Sequence, residues 1–259
     1  MTYLFVSCEG GGSHAKKVAA PIKRGFTYSH GAIIRGDSTQ KKIALVFTGD
    51  EFADGGKFIA ETLRHEKIKA SFFLTGRFNR NVGFKSIIER LKKDGHYLGA
   101  HSNEHLLYCD WQKRDSLLVT EQQFKMDLAD NYAEMTKYGI TKNQAAYFLP
   151  PYEWYNDTIS AWTKKFGLKL INFTPGTKST ADYTTPDMKN YRSSEEIYSS
   201  IINYEQLKPN GLNGFILLIH MGTDPKRTDK FYHKLPQLMK YLKTKGYQFQ
   251  TVNQLLNPD

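Results

Sequence analysis

His101 and His105, the two ends of a His-Ser-Asn-Glu-His segment, lie downstream of an adjacent acid pair, Asp50-Glu51, which ends an apolar run. Imidazoles at i and i+4, on a helical turn or a tight loop, can converge on one cation, and a carboxylate from a neighbouring strand end would complete a set of three. Three protein ligands leave positions for water and substrate, which is how a catalytic metal site is built. A structural zinc site closes with four ligands and usually takes thiolates. The chain has 2 cysteines, Cys8 and Cys109, so a thiolate site is not expected. By spacing alone such a pair is more often two surface or hydrogen-bonded histidines, and the elements that carry them must decide.

Ile43-Ala-Leu-Val-Phe47 reads as a buried parallel strand that runs into Thr48-Gly49-Asp50-Glu51, and Tyr97-Leu-Gly-Ala100 runs into His101. In α/β sheets, ligands and chemistry collect at the carboxyl ends of the strands. Further strand-like runs are 70–74, 145–149, 168–173, 215–219 and 247–252. Amphipathic stretches at 57–67, 84–93, 118–138, 157–166, 194–206 and 235–245 lie between them. Gly95, Gly139, Gly167 and Gly246 close several of these helices. Strands alternating with helices imply parallel βαβ units, so the expected fold is α/β, a distorted barrel of about seven parallel strands with surrounding helices. Residues 16–40 are expected to form an irregular extension with a strand or two. The Thr-, Pro- and Asp-rich segment 174–191 breaks the rhythm and is expected to be a long loop at the active end.

With 259 residues and 40% hydrophobic content the chain can bury one sizeable core, and residues 16–259 are expected to form one catalytic domain. The formal charge of +10 comes from lysines spread over helix faces, without an arginine-rich block. That distribution argues against nucleic acid and stays compatible with a polyanionic cell-wall glycan. No run approaches the length of a membrane-spanning helix. Residues 2–8 end in Ser7-Cys8 and lead into Gly10-Gly11-Gly12, which resembles the tail of a bacterial lipoprotein signal followed by a tether spanning residues 1–15. Either the basic start of that signal is missing or the likeness is accidental. Lipid on Cys8 would be the sole membrane link, the expected location is the cell envelope or the exterior, and Cys109 would then have no intrachain partner.

From Lys41 to the C-terminus the chain resembles the polysaccharide deacetylases of carbohydrate esterase family 4, with their NodB-like homology. The family's Thr-Phe-Asp-Asp is similar to Thr48-Gly49-Asp50-Glu51, and its Lys-Ala-Thr-Phe-Phe strand to Lys69-Ala-Ser-Phe-Phe73. Its Gly-His-Glu-Ile-Gly-Asn-His-Ser-x-x-His is close to the stretch from Gly95 to His105. Its Arg-Pro-Pro-Tyr is similar to Leu149-Pro-Pro-Tyr152, and its final Leu-x-His to Leu218-Ile-His220. The resemblance implies a metal-dependent hydrolase that removes acetyl groups, usually N-acetyl, from a sugar polymer. It implies Glu51, His101 and His105 as ligands of a divalent metal, Zn2+ first, with Co2+, Mn2+ or Ni2+ as alternatives. Asp50 would be the general base, His220 the general acid, and Pro151, Tyr152 and Trp154 the substrate and oxyanion wall, with the Tyr152 N–H facing the carbonyl. His96 and Ser102 read as structural, Asp54 as a turn and helix entry, and Trp154, Tyr155 and Tyr183 as a sugar platform.

Three departures matter. Glu51 stands where the family has Asp. Leu149 replaces the arginine that pairs with the base, so Asp50 lacks its cation unless Arg77 or Lys178 reaches it from another loop. The acid that orients the general-acid histidine has no clean match, and Asp182 is a candidate. Two other readings stay open: a metal-containing glycan-binding relative without turnover, and a barrel glycosidase using Asp50 with Glu51 or Glu153.

Overall fold

The computed structural model describes residues 25–257, so Cys8 and the tether lie outside the described residues. The unbroken apolar run of residues 43–47 becomes the middle of a long central strand, as a strand covered on both faces requires. In chain order the elements are β1 (Thr27–Ser29), β2 (Ala32–Arg35), β3 (Lys42–Gly49), α1 (Gly56–His65), β4 (Ser71–Leu74), α2 (Gly76–Arg80), α3 (Lys85–Lys93), β5 (Tyr97–Ala100) and α4 (Glu121–Thr136). They continue as β6 (Tyr147–Phe148), α5 (Asp157–Lys165), β7 (Lys169–Leu170), α6 (Ser194–Leu207), β8 (Phe215–His220), α7 (Leu235–Thr244), β9 (Gln248–Phe249) and α8 (Val252–Leu256).

The sheet order is β1-β2-β8-β3-β4-β5-β6-β7, with β9 paired to β3. Strands β3 to β9 pair in parallel, and β2 runs antiparallel to β8. Ile33 bridges Ile171 just beyond β7, and the Asn172 N–H donates to the Ile33 carbonyl at 3.0 Å, so the sheet curls round on itself. Alternation along β3 splits the core in two. Leu45 and Phe47 pack towards the helices with Ile59, Leu63 and Ile88, while Ala44 and Val46 face an inner layer with Phe73, Leu149, Ile216 and Leu218 that α8 helps to shut.

The expected strands at 145–149 and 168–173 are regular over two residues each, and beyond them only Ile171 pairs, through its bridge to Ile33. The expected helix at 118–138 starts at Glu121 because Thr120 caps it reciprocally with Gln123. The last expected strand ends early, since Thr251 caps α8. Short α2 carries no periodic signal in the sequence, and it proves decisive for the site.

Candidate active site

Asp50 and Glu51 sit at the end of β3, His101 at the end of β5 and His220 at the end of β8, all within the four successive strands β8-β3-β4-β5 of one curled sheet. The Asp50 carboxylate is gripped by Arg77: Nε donates to Oδ1 at 3.1 Å and Nη2 to Oδ2 at 2.5 Å, a forked pair that Thr75 Oγ1 extends by donating to Oδ1 at 2.9 Å. Arg77 Nη1 lies 3.7 Å from Glu51 Oε1. The cation missing at Leu149 is therefore supplied from α2. Gly49 helps to admit it, because a β-carbon there would stand 2.9 Å from Leu74 and 3.1 Å from the Phe78 ring that seats α2 on the strand end. Leu149 itself is fully buried in the inner layer. Leu149→Arg is thus expected to bury an unpaired charge, costing on the order of 3 kcal/mol or more of stability, read as a lower melting temperature.

His101 and His105 are held by a tight loop whose Ser102 and His105 have φ of 74° and 55°. Their rings lie 5.1 Å apart, centroid to centroid. Two polar residues on the buried face of α4 anchor this loop. Asn131 accepts the His101 N–H at 3.0 Å, and Asp127 accepts the N–H groups of Asn103 and Glu104 at 3.1 and 3.0 Å as well as the Tyr108 hydroxyl at 2.7 Å. From the other side, the Gly76 and Arg77 N–H groups donate to the carbonyls of Ser102 and Asn103. Inside the loop, Ser102 Oγ accepts the Leu106 N–H at 3.4 Å. His101 Nδ1 lies 2.8 Å from the Leu149 carbonyl, an acceptor only, so that nitrogen carries the proton and Nε2 keeps its lone pair. Burial, reinforced by His105, holds His101 well below the usual histidine range. Burial likewise lowers His105 to about 4, against the pull of Asp50, whose Oδ2 is 3.7 Å from His105 Nδ1.

His220 is backed by Asp182 from the 3₁₀ turn Ser179–Tyr183. Its Nδ1 donates to Oδ1 at 2.6 Å and its backbone N–H to Oδ2 at 2.8 Å. Burial opposes charge on this ring, but the Asp182 carboxylate outweighs it and raises His220 above its ordinary value. The turn is in turn clasped by fully buried Arg227, whose Nη1 donates to the Thr184 carbonyl at 2.6 Å and Nη2 to the Arg192 carbonyl at 3.0 Å.

These groups open on one cavity of about 720 Å³, lined among others by Asp50, Glu51, His101, His105, Tyr152, Glu153, Trp154, Tyr183 and His220. Tyr152, with φ 58°, stands 4.4 Å from the His105 ring and 5.5 Å from Trp111. Trp111 is 54% exposed beside Trp154 and belongs to the aromatic rim, although nothing in its local sequence singles it out. Tyr183 is exposed too, 5.3 Å from His220. Tyr155 is not part of that platform: it is buried, its hydroxyl donating to the Ser29 carbonyl at 3.0 Å. Pro151, expected in the substrate wall, is buried and is not among the residues that line the cavity. His96 accepts the Ala70 N–H on Nδ1 at 3.1 Å and burial lowers it to about 4, a structural role. Asp54 accepts from the Thr223 N–H at 2.8 Å and the Tyr232 hydroxyl at 3.0 Å, which ties down the loop after β8. Cys109 is a buried free thiol.

The sequence pattern named Polysaccharide deacetylase matches residues 35–171, more than half of the chain. The chain belongs to the polysaccharide deacetylase family. Among curated relatives it is 25% identical over 227 residues to an uncharacterised 30.6 kDa protein of Geobacillus stearothermophilus, covering 88% of this chain and 75% of that one. It is 24% identical over 220 residues to a peptidoglycan-N-acetylglucosamine deacetylase of Bacillus cereus, covering 85% and 90%. Its fold superposes on a crystal structure of a peptidoglycan N-acetylglucosamine deacetylase with a TM-score of 0.67 at 17% identity, covering 88% and 93%. A family 4 pseudoenzyme from Bacillus anthracis gives 0.66 at 18%, covering 89% and 70%.

As a polysaccharide deacetylase the chain raises the question of a divalent cation, and the imidazole pair fits one. Both rings are held neutral, and His101 donates its other N–H to a backbone carbonyl, as metal-bound histidines do. Glu51 is not brought to them. Its side chain is 62% exposed and turned to Arg77, and among the described residues no three acidic, imidazole or thiol groups are assembled as ligands.

Proposed function

We propose that this polysaccharide deacetylase is metal-dependent and hydrolyses N-acetyl groups of an amino-sugar polymer, with residues 16–259 as its catalytic unit. The observation that carries this reading is the arrangement round one cavity of a guanidinium-clamped carboxylate, a neutral histidine pair and a carboxylate-backed imidazole. His101 and His105, with Glu51 swung away from Arg77, would hold the cation. When bound, it would polarise the acetyl carbonyl and acidify a water. Asp50 takes the proton from the attacking water, and Arg77 with Thr75 fixes the carboxylate for that transfer. The Tyr152 N–H faces the carbonyl oxygen, by resemblance. His220 delivers a proton from Nε2 to the departing nitrogen, while Asp182 holds Nδ1–H and stabilises the charged ring. Trp111, Tyr152 and Tyr183 offer ring faces for sugars.

The B. cereus relative is named for peptidoglycan N-acetylglucosamine, and a relative in Arthroderma benhamiae, 26% identical over 162 residues, for chitin. Both are polymers of acetylated amino sugars, and a charge of +10 suits an anionic wall. The reading places the protein in the cell envelope or outside the cell. Among the described residues no helix is long and apolar enough to cross a membrane.

A non-catalytic reading requires that the base lack a cation and the acid lack an orienting carboxylate; Arg77 pairs with Asp50 and Asp182 with His220. Acetate release from N-acetylglucosamine oligomers, peptidoglycan and acetylated xylan tests the proposal. Release from the amino-sugar polymers should stop on chelation and return with Zn2+, Co2+, Mn2+ or Ni2+. Glycan binding without acetate from metal-loaded protein would favour the non-catalytic relative, and chain cleavage insensitive to chelation would favour a glycosidase.

A further inference from the structure

Glu153 lines the cavity and has no part in the reaction above. Its backbone is in the left-handed region, φ 52°, directly after Tyr152 at φ 58°. A side chain with a β-carbon resists that conformation, so it persists only where neighbours enforce it, and such residues cluster at functional sites. Here the Glu153 N–H donates to the Pro150 carbonyl at 3.1 Å, and Asn172 Nδ2 donates to the Glu153 carbonyl at 2.8 Å. The backbone is thus pinned from both ends, while the carboxyl has no hydrogen-bond partner among the described residues. Burial pushes this carboxyl up to about 7; His220 draws it down and Asp182 pushes it further up. Asp50, Glu51, Asp224 and the His101–His105 pair line the same cavity.

We propose that Glu153 is a substrate-contacting residue whose carboxylic acid donates a hydrogen bond to a ring or glycosidic oxygen, an acceptor only, of the sugar carrying the scissile acetamide, tying affinity for the polymer to pH. The identity of the ligand as an acetylated amino sugar rests on the function proposed above. The sign follows from which form can donate. Below about pH 7 Glu153 keeps its proton and donates; above it, the ionised carboxylate has no proton to give and faces the Asp182 charge.

The probe is a hexamer of β-1,4-linked N-acetylglucosamine, mixed rapidly with the metal-loaded full chain and followed by tryptophan fluorescence before turnover. Wild-type affinity should fall roughly five-fold from pH 6 to pH 8.5, the size of one hydrogen bond. Glu153→Gln, which donates at every pH, should not show that fall. His220 is also raised above its ordinary value, in part by Glu153, so both pH profiles are repeated on His220→Gln, where the difference between them belongs to Glu153. Glu153→Gly should bind roughly five-fold more weakly at pH 6. It should also melt about 2 °C or more higher, because the backbone strain is relieved.

The proposal is overturned if Glu153→Gln follows the wild-type profile, if Glu153→Gly binds as wild type or melts lower, or if wild type does not bind the hexamer. Because binding is read before turnover, a pH-dependent affinity without acetate release would refute the deacetylase reading and leave this one standing.

Discussion

Asp50→Asn is expected to keep fold and metal while cutting acetate release by about 100-fold or more, the usual cost of a lost acid-base group. The substitution keeps the shape of the side chain, and its Oδ1 still accepts from Thr75 and from Arg77 Nε, which meet Asp50 at 2.9 and 3.1 Å. What it removes is the basic carboxylate and half of the fork to Arg77, whose other acidic neighbour, Glu51, stands at 3.7 Å. Metal content by elemental analysis and a melting curve separate this loss from a collapsed site. Near-normal turnover with metal bound would remove Asp50 as the base. Asp54 could not simply inherit the role, since Thr223, Tyr232 and Lys230 already occupy its carboxylate.

The parts of this site that could be read in advance are those written locally. A five-residue apolar run ending in Asp50-Glu51 and a short run ending in His101 announce strand ends, and strand ends are where α/β folds place their chemistry. The partners of those residues arrive through packing, and packing leaves no local trace. Arg77 could be named only beside Lys178, because it sits on a helix of five residues, too short for a 3.6-residue period to register, and it reaches Asp50 because α2 settles on Gly49 and on the histidine loop. Asp127 and Asn131 lie inside an amphipathic stretch where a polar residue ordinarily faces water; here both are buried because the loop of His101 needs acceptors. Asp182 could be named as a candidate from its place in the irregular segment, whereas its two bonds to His220 depend on a turn clasped by Arg227, which is 45 residues further along the chain than Asp182. The curl of the sheet was foreseeable from the alternating pattern. The shortness of β6 and β7 was not, because buried coil and buried strand are both apolar.

His105→Ala is expected to weaken metal binding by more than roughly 100-fold, since even outer partners of a metal ligand are worth 10–100-fold. His101→Ala should do the same, and the two variants should differ in stability. His105 holds no backbone group through its ring in the hydrogen bonds of the site, so metal-free His105→Ala should melt close to wild type. His101 is fully enclosed and its Nδ1–H satisfies the Leu149 carbonyl at 2.8 Å. Its removal leaves that carbonyl unpaired and a hole beneath the loop, a loss of about 2 kcal/mol that a melting curve of the metal-free protein would register. Full metal stoichiometry in both variants would exclude the pair as ligands. Glu51→Gln completes the comparison, because the carboxylate now faces Arg77. A large drop in affinity would show that it turns to the cation on binding, and an unchanged affinity would leave the histidines to bind with Asp50 as the nearest acid, 3.7 Å from His105. In that second case one carboxylate could not serve as both ligand and free base, and the general base would have to be sought among the other acids that line the cavity, Glu153 and Asp224.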